Sequence, residues 1–418
     1  MSRVAVIGGR LHAVKYAREL DVDVVLVHEE GQYEPEFAAH CERIVHAPVT
    51  DSPAIIEALA PLHRARPFDR VLCTTDLGTV PAAEVAEALG VPHTPVRAAR
   101  VIKNKAAVRR ILAEQGIDPV RARLVRSHRD AADFASWVAG RVVLKPVDGS
   151  GSADVHIVDG AQEAELAWKA MEGVGYREVV AEEYLDGPLA TVEAFSVDGR
   201  HLTLGLTDES INDHLVEVGI TAPPRVIGPH EAAMRELTVR LLDAIGVTDG
   251  PSHTEYVITE AGPRLMETHN RMAGLGIPEV VRRAYGIDTN RLFLGAALGL
   301  TEFPAEPPAA RRGAALRVFA PPPGTIAAIE GLDELARLGA AVRRVPPGTR
   351  AFGFPGLFEE LAEAEIGVLL PLNVGDTVVP IRTGWDIRMG MVIASGSDVR
   401  QAVERCEQVL DAVRWHTS

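Results

Sequence analysis

The segment Leu144-Lys-Pro-Val-Asp-Gly-Ser-Gly-Ser152 sets Lys145 just ahead of a loop of small residues, straight after the apolar run Val142-Val-Leu144. Such a loop lets main-chain N–H groups approach an anion because no side chain intervenes, and the lysine adds positive charge beside them. The pair suits a phosphate. Further on, His253-Thr-Glu-Tyr-Val-Ile-Thr259 and Pro263-Arg-Leu-Met-Glu-Thr-His269 flank Glu260-Ala-Gly262. Read as a hairpin with a three-residue loop, they place Thr259 opposite Pro263 and Glu255 opposite Glu267. Two carboxylates facing each other across a ladder repel. A hard divalent cation between them removes that repulsion, and magnesium with nucleotide phosphates is the usual resident of a site with few carboxylates. The alternative is a pair of solvated glutamates, or a register slip that separates them.

These groups need elements to hold them. Over residues 1–95, the runs Val4-Ala-Val-Ile7, Val24-Val-Leu-Val27, Arg43-Ile-Val-His46 and Arg70-Val-Leu-Cys73 alternate with helical patterns through Tyr16 and Leu20, Pro53 to Leu62 and Pro81 to Leu89. That alternation predicts an α/β architecture opening on a parallel, Rossmann-like layer. Gly8-Gly-Arg-Leu-His-Ala13 lacks the spacing of a dinucleotide fingerprint, and no acidic ribose partner follows the second run, so only the layer itself suggests a dehydrogenase. From residue 96 the texture changes. A helix-like Lys103 to Gln115 carries Lys105 near its start, a strand-rich block runs to Gly199, and a helix is expected from His230 to Ile245. The proline-rich Phe303-Pro-Ala-Glu-Pro-Pro308 predicts a boundary, since consecutive prolines continue neither helix nor sheet. A third, α+β unit over 309–418 ends in an amphipathic helix, Asp398 to Val413.

Taken in chain order, Lys105, Lys145, the run Val179-Val-Ala-Glu-Glu-Tyr-Leu185 and the Glu255/Glu267 hairpin resemble the ATP-grasp superfamily over roughly residues 1–300. The resemblance implies an ATP-grasp fold: a central unit at 96–302 with a lid subdomain at about 122–186, behind the N-terminal layer. It implies ATP as cosubstrate with Mg2+, or Mn2+ in its place. Lys105 and Lys145 would hold the α- and β-phosphates, and Gly149, Ser150, Gly151 and Ser152 would fold over the β- and γ-phosphates. Glu182, Glu183, Tyr184 and Leu185 match the strand where a glutamate and main-chain groups read adenine, and Glu193 would make a ribose or metal-side contact. Glu267-x-His269-x-Arg271 is similar to the family's Glu-x-Asn-x-Arg, with the glutamate on magnesium and the arginine facing the transferred phosphate. His269 departs from the asparagine, which leaves its part as a metal ligand open.

A narrower likeness is to the L-amino-acid ligases, which form dipeptides. It rests on His214-Leu-Val-Glu-Val-Gly-Ile-Thr-Ala-Pro223, on Arg271-Met-Ala-Gly274, and on Gly390-Met-Val-Ile-Ala-Ser-Gly396, similar to the Gly-x-Val-Ile-Ala-x-Gly close of their C-terminal domain. It implies a carboxylate–amine ligase working through an acyl phosphate, with Glu217 near the substrate amine, and His214, His269 and Gly274 as further substrate-side candidates. Ile220 stands where many relatives carry histidine. His12 and His253 are read as structural, and Arg382, Trp385 and Arg388 as packing. A bicarbonate-activating carboxylase or a non-catalytic nucleotide sensor would share the ATP site.

Composition agrees. A chain of 418 residues, 47% hydrophobic and 24% charged, can bury two or three cores, and its formal charge of −15 argues against a general nucleic-acid binder. Cys41, Cys73 and Cys406 lack zinc or disulfide spacing and are expected to be reduced, structural thiols. No run of membrane-spanning length appears, so cytoplasm is the expected location. The expected partners are small carboxylic acids and amines, neither nucleic acid nor membrane, with a homodimer allowed.

Overall fold

The computed structural model describes residues 1–9, 14–33, 35–345, 361–387 and 389–418. His12 and Arg388 therefore lie outside the described residues, as does the side chain of Trp385. The opening runs form parallel strands β1 (Ser2–Ile7), β2 (Val22–His28), β3 (Arg43–His46) and β4 (Arg70–Cys73), ordered β3-β2-β1-β4. Both faces of β1 and β2 are covered, as the unbroken Val/Ile/Leu runs require. Helix Ser52–Ala65, whose N-cap Asp51 accepts from the Ala54 N–H at 3.0 Å, lays Ile55 and Leu59 against Ile7, Val25 and Val27. The layer is thus a doubly wound unit whose strand ends point at the rest of the chain.

The expected lid is a four-stranded antiparallel sheet, β5 (Ala122–Val125), β6 (Arg141–Pro146), β7 (His156–Asp159) and β8 (Val179–Glu183), ordered β5-β8-β6-β7. Helices His128–Val138 and Gly160–Gly173 cover one face with Phe134, Trp168 and Met171. The other face turns Val143, Lys145 and Ile157 to a cleft.

Behind it lies a larger sheet of β9 (Leu189–Val197), β10 (Arg200–Ile211), β11 (Glu217–Ala222), β12 (Gly250–Thr259), β13 (Gly262–His269) and β14 (Gly313–Val318), continued by strands Met391–Gly396, Ile366–Leu370 and Ala340–Arg344. It has nine strands among the described residues and runs across the proline-rich segment, so β11 pairs β14 directly. Ala190, Val192 and Tyr256 pack with Leu265 against Met234, Leu241 and Leu242 of helix Glu231–Ile245. Strand periodicity then turns Thr191, Glu193, His253 and Glu255 to the opposite face. That face carries buried acids and a histidine. Among the described residues no helix is long and apolar enough to cross a membrane.

One register differs from expectation. The hairpin loop has two residues, Glu260 and Ala261, with Thr259 paired to Gly262 and Ile258 to Pro263. A bulge between Glu255 and Tyr256 then inserts Met266 on β13 and restores Glu255 opposite Glu267. The expected pairing of the carboxylates is therefore reached by a different path, and the bulge has a use of its own: the Met266 carbonyl accepts from Arg109 Nη2 at 3.3 Å and Lys145 Nζ at 3.4 Å.

Candidate active site

Lys105 begins a new helix because the expected single helix breaks at Asn104. Asn104 is extended, at φ −110° and ψ 99°, and its side chain caps Lys105–Glu114 by accepting from the Ala107 N–H. Placed at the first helical position, Lys105 donates its N–H to the Val147 carbonyl at 2.9 Å, and its Nζ donates to the Gly149 carbonyl at 2.6 Å and lies 2.8 Å from Glu267 Oε1. Lys145 comes from β6, with Nζ 3.0 Å from Glu182 Oε2. Both lysines line one cleft of about 200 Å³, together with Gly149, Ser150, Gly151 and Ser152 from the lid. Glu182, Glu183, Tyr184 and Leu185 line it too, as do Glu255 and Glu267. Twelve of the expected nucleotide and metal residues thus meet in one place.

The Gly-Ser loop is seated on its neighbours. Ser152 Oγ donates to the Leu215 carbonyl at 3.1 Å, the Gly384 N–H points at the Gly151 carbonyl at 3.5 Å, and Gly151 is left-handed at φ +66°, where a β-carbon is strained. We expect hydrogen exchange over residues 145–156 to slow when a non-hydrolysable ATP analogue and magnesium bind, and Gly151→Val to depress turnover while the N-terminal layer stays folded. Equal exchange in both states would remove the loop from the phosphates.

Glu182 and Glu183, one of them expected to read adenine, both line the cleft and both carboxylates are paired with arginines. Glu182 is buried and chelates Arg109 through two 2.8 Å hydrogen bonds while also pairing Lys145. Burial opposes its ionisation, but Arg109 and Lys145 prevail and hold it at about 2. Glu183 accepts from the Arg121 N–H at 2.8 Å and from Arg121 Nε at 2.7 Å. Both carboxylates are thus engaged by cations. Arg109 escaped notice in the sequence, although its spacing of four from Lys105 puts both on one helix face.

The face beyond Glu255 is an ordered run of acids and imidazoles. His253, read from sequence as structural, bridges Glu193 Oε1 at 2.6 Å and Glu255 Oε1 at 3.2 Å. Burial lowers its proton affinity, yet Glu193 and Glu255 hold it well above the usual histidine range. Its ring stacks on His269 at 6.0 Å and 14°. His269 Nε2 in turn lies 3.1 Å from Glu267 Oε1, and together with Lys105 it overcomes burial to keep Glu267 well below the ordinary carboxylate range. Glu193, expected at the ribose or metal side, accepts from Thr191 Oγ1 at 3.1 Å and pairs His253, and it is not among the residues that line the cleft.

These donors suit a magnesium ion. Glu255 and Glu267 present hard oxygens from directly paired positions, and each is at present compensated by neighbouring cations, His253 on one and Lys105 and His269 on the other.

Arg271 leaves the end of β13 toward the N-terminal layer. Its Nε lies 3.8 Å from Asp76 Oδ1, which is also 3.5 Å from His269 Nδ1, while Lys103 pairs the other Asp76 oxygen. Asp76 was not expected from sequence; the signal was its place directly after β4, at the carboxyl edge of an open parallel sheet, where ligands collect. On the other side, Glu217 is raised to about 7 by burial and then by Glu255, and Glu209 is raised well above its ordinary value by burial and then by Glu217. Glu209 Oε1 is buried without a hydrogen-bond partner. His214 is exposed and its N–H closes a turn on Asn212 Oδ1, Gly274 lines a separate cavity, and Ile220 is buried against Ile277 and Val280. Burial pushes the Cys41 and Cys406 thiols up to about 12 and that of Cys73 to about 11, which does not suit any of them to be a nucleophile.

Residues 14–93 match the ATP-grasp N-terminal domain and residues 138–279 the ATP-grasp domain. The chain is similar to a phosphoribosylamine–glycine ligase from Methanocorpusculum labreanum, 30% identical over 301 residues, 66% of this chain and 67% of that protein. It is also similar to dapdiamide A synthase from Enterobacter agglomerans, 28% identical over 44% of this chain and 46% of that one. The chain spans about half the length of the first of the curated relatives it matches, 52% and 46%. In fold it resembles an L-amino acid ligase from Bacillus licheniformis, with a TM-score of 0.79 at 22% identity, covering 100% of this chain and 99% of that one.

Proposed function

The chain belongs to the ATP-grasp family, and from that premise we propose that it is an ATP-dependent carboxylate–amine ligase acting on an amino-acid-like acid. In this reading a substrate carboxylate oxygen attacks the γ-phosphorus of ATP, the bond to ADP breaks, and an acyl phosphate results. An amine then attacks the acyl carbon, and inorganic phosphate leaves. The supporting observation is the meeting of Lys105, Lys145, the Gly-Ser loop and the paired Glu255 and Glu267 in one cleft, with Arg271 beyond them.

The chain's own groups align and neutralise. Lys105 and Lys145, held by Glu267 and Glu182, turn their remaining N–H donors to phosphate oxygens, Arg271 stabilises the charge on the transferring group, and the seated Gly-Ser loop keeps water from the acyl phosphate. Magnesium held by Glu255 and Glu267 would supply charge neutralisation on the phosphates. Glu182 acts through Lys145, holding it toward the cleft, and Asp76 acts through Arg271 and His269. Glu217, with Glu209 beside it, receives the ammonium of the acid substrate.

The last assignment carries a pH dependence. Glu217 is protonated below about 7 and becomes an anion above it, and only the anion pairs with an ammonium. We expect kcat/KM for an acid bearing an α-amino group to rise as pH climbs through about 7, and Glu217→Gln to lose that rise; an unchanged profile would move the ammonium site. The reading as a whole is tested by ADP release over pairs of acids and amines, with mass detection of products. Amide formed in step with ADP, and abolished by excess EDTA, is expected. Bicarbonate-dependent ADP release without an amide would replace the ligase with a carboxylase.

A further inference from the structure

The face of the large sheet that carries Glu255 arranges its polar side chains in two cross-strand rows. In one, Glu193 of β9 faces His253 of β12, which faces His269 of β13. In the next, Thr207 of β10 faces Thr191 of β9, which faces Glu255 of β12, which faces Glu267 of β13. The strand period of two keeps both rows on one side of the sheet. Of these side chains, Glu255 and Glu267 line the nucleotide cleft.

Hydrogen bonds join the rows into a relay that ends on Glu255. Thr207 Oγ1 and Thr191 Oγ1 lie 2.7 Å apart, Thr191 Oγ1 donates to Glu193 Oε1 at 3.1 Å, and His253 Nδ1 meets that same oxygen at 2.6 Å. His253 Nε2 then reaches Glu255 Oε1 at 3.2 Å. Every member before Glu255 is buried, with Thr207 and Thr191 at 0%, His253 at 3% and Glu193 at 6% exposure. Carboxylates on both ring nitrogens, and the near-parallel ring of His269 at 6.0 Å, fix the orientation of the His253 imidazole. Glu193 thus does for His253 what an outer carboxylate does for a ring that must present its other nitrogen in one direction. It also places a negative charge beyond the ring, so the Glu193–His253 pair adds no net positive charge beside a cation.

We propose that Glu193 and His253 are positioning residues for the metal: they hold Glu255 by one oxygen, so that metal affinity at the nucleotide is tuned by side chains that do not line the cleft. This rests on the reading of Glu255 and Glu267 as metal ligands. A free carboxylate turns about its side-chain bonds, and a ligand already held toward the cation has less freedom to lose when the cation binds. The two carboxylates are held from different sides. Glu267 is drawn by Lys105, which lines the cleft, and by His269, whereas Glu255 is held by His253 from the interior of the sheet. Glu193, expected at the metal side, bears on the metal through one intervening ring.

The experiment measures the factor by which Mn2+ tightens a non-hydrolysable ATP analogue, from calorimetric titrations with and without the metal, beside thermal unfolding of each protein. Glu255→Gln is the reference. It is expected to lower the factor without weakening the analogue alone; an unchanged factor would remove Glu255 from the metal, and with it the reading on which the proposal stands. His253→Gln is expected to lower the factor roughly tenfold, the lower end of the losses that follow when an outer partner of a metal ligand is removed. The analogue alone should bind as before, and in steady state the KM for Mg2+ should rise while kcat at saturating Mg2+ stays near wild type. Glu193→Gln keeps the side-chain length and an oxygen for His253 Nδ1, so a smaller fall is expected, and this variant carries the test should His253→Gln not fold. A wild-type factor in the folded variants, beside a loss in Glu255→Gln, would mean that the relay only stabilises the sheet, whatever the unfolding temperatures, and would overturn the proposal.

Discussion

Glu267→Gln is expected to lower turnover by roughly a hundredfold or more, the loss seen when a group that stabilises transition-state charge is removed. The substitution keeps the shape and removes the anion. Glu267 faces Glu255 across the ladder and draws Lys105 and His269 to itself at 2.8 and 3.1 Å, so its charge organises both the metal position and the lysine that meets phosphate. Nucleotide affinity should fall far less, because Lys145 and the Gly-Ser loop are untouched, and thermal unfolding should stay close to wild type. Steady-state turnover beside a nucleotide titration separates the two effects. Near wild-type turnover would mean the metal is held elsewhere.

The second large effect is on stability. Glu182→Ala should destabilise the fold by about 3–5 kcal/mol, the cost of leaving buried charges without their partner. Arg109 and Lys145 are each only 6% exposed, and among the described residues Lys145 has no other carboxylate within an ion-pair distance, while Arg109 retains Asp118 at 3.5 Å. Saturating ATP and magnesium should return part of the loss, since phosphate oxygens near Lys145 stand in for the missing carboxylate and binding favours the folded state. Chemical denaturation with and without nucleotide measures both. A stable variant that merely binds nucleotide less tightly would restore Glu182 to the base-reading role that its two cationic partners now argue against.

The same residue shows where sequence reading stops. Glu182 was visible as one of an acidic pair on a strand, and its motif placed it at the nucleotide; which atoms its carboxylate meets depended on Arg109, from a helix 73 positions away. Likewise Glu255 and Glu267 were paired correctly from a hairpin of the wrong loop length, because the bulge at Met266 compensated for it. A bulge is decided by contacts across the sheet, here the cations that Met266 meets, and leaves little trace in local composition.

The sequence by itself determined what is local and periodic. Alternating runs and helical patterns specified the parallel N-terminal layer and a strand-rich block after it, and the lysines, small-residue loop and paired glutamates picked out groups that line one cleft, because strand period, glycine freedom and charge act over a few residues. Tertiary structure alone decided the rest: the joining of the third unit to the large sheet through β11 and β14, the promotion of His253 from structural residue to a bridge between Glu193 and Glu255, and the arrival of Asp76 beside Arg271. Each depends on groups brought together from distant segments, and the energy of a buried charge is set by the partners that surround it rather than by its neighbours in the chain.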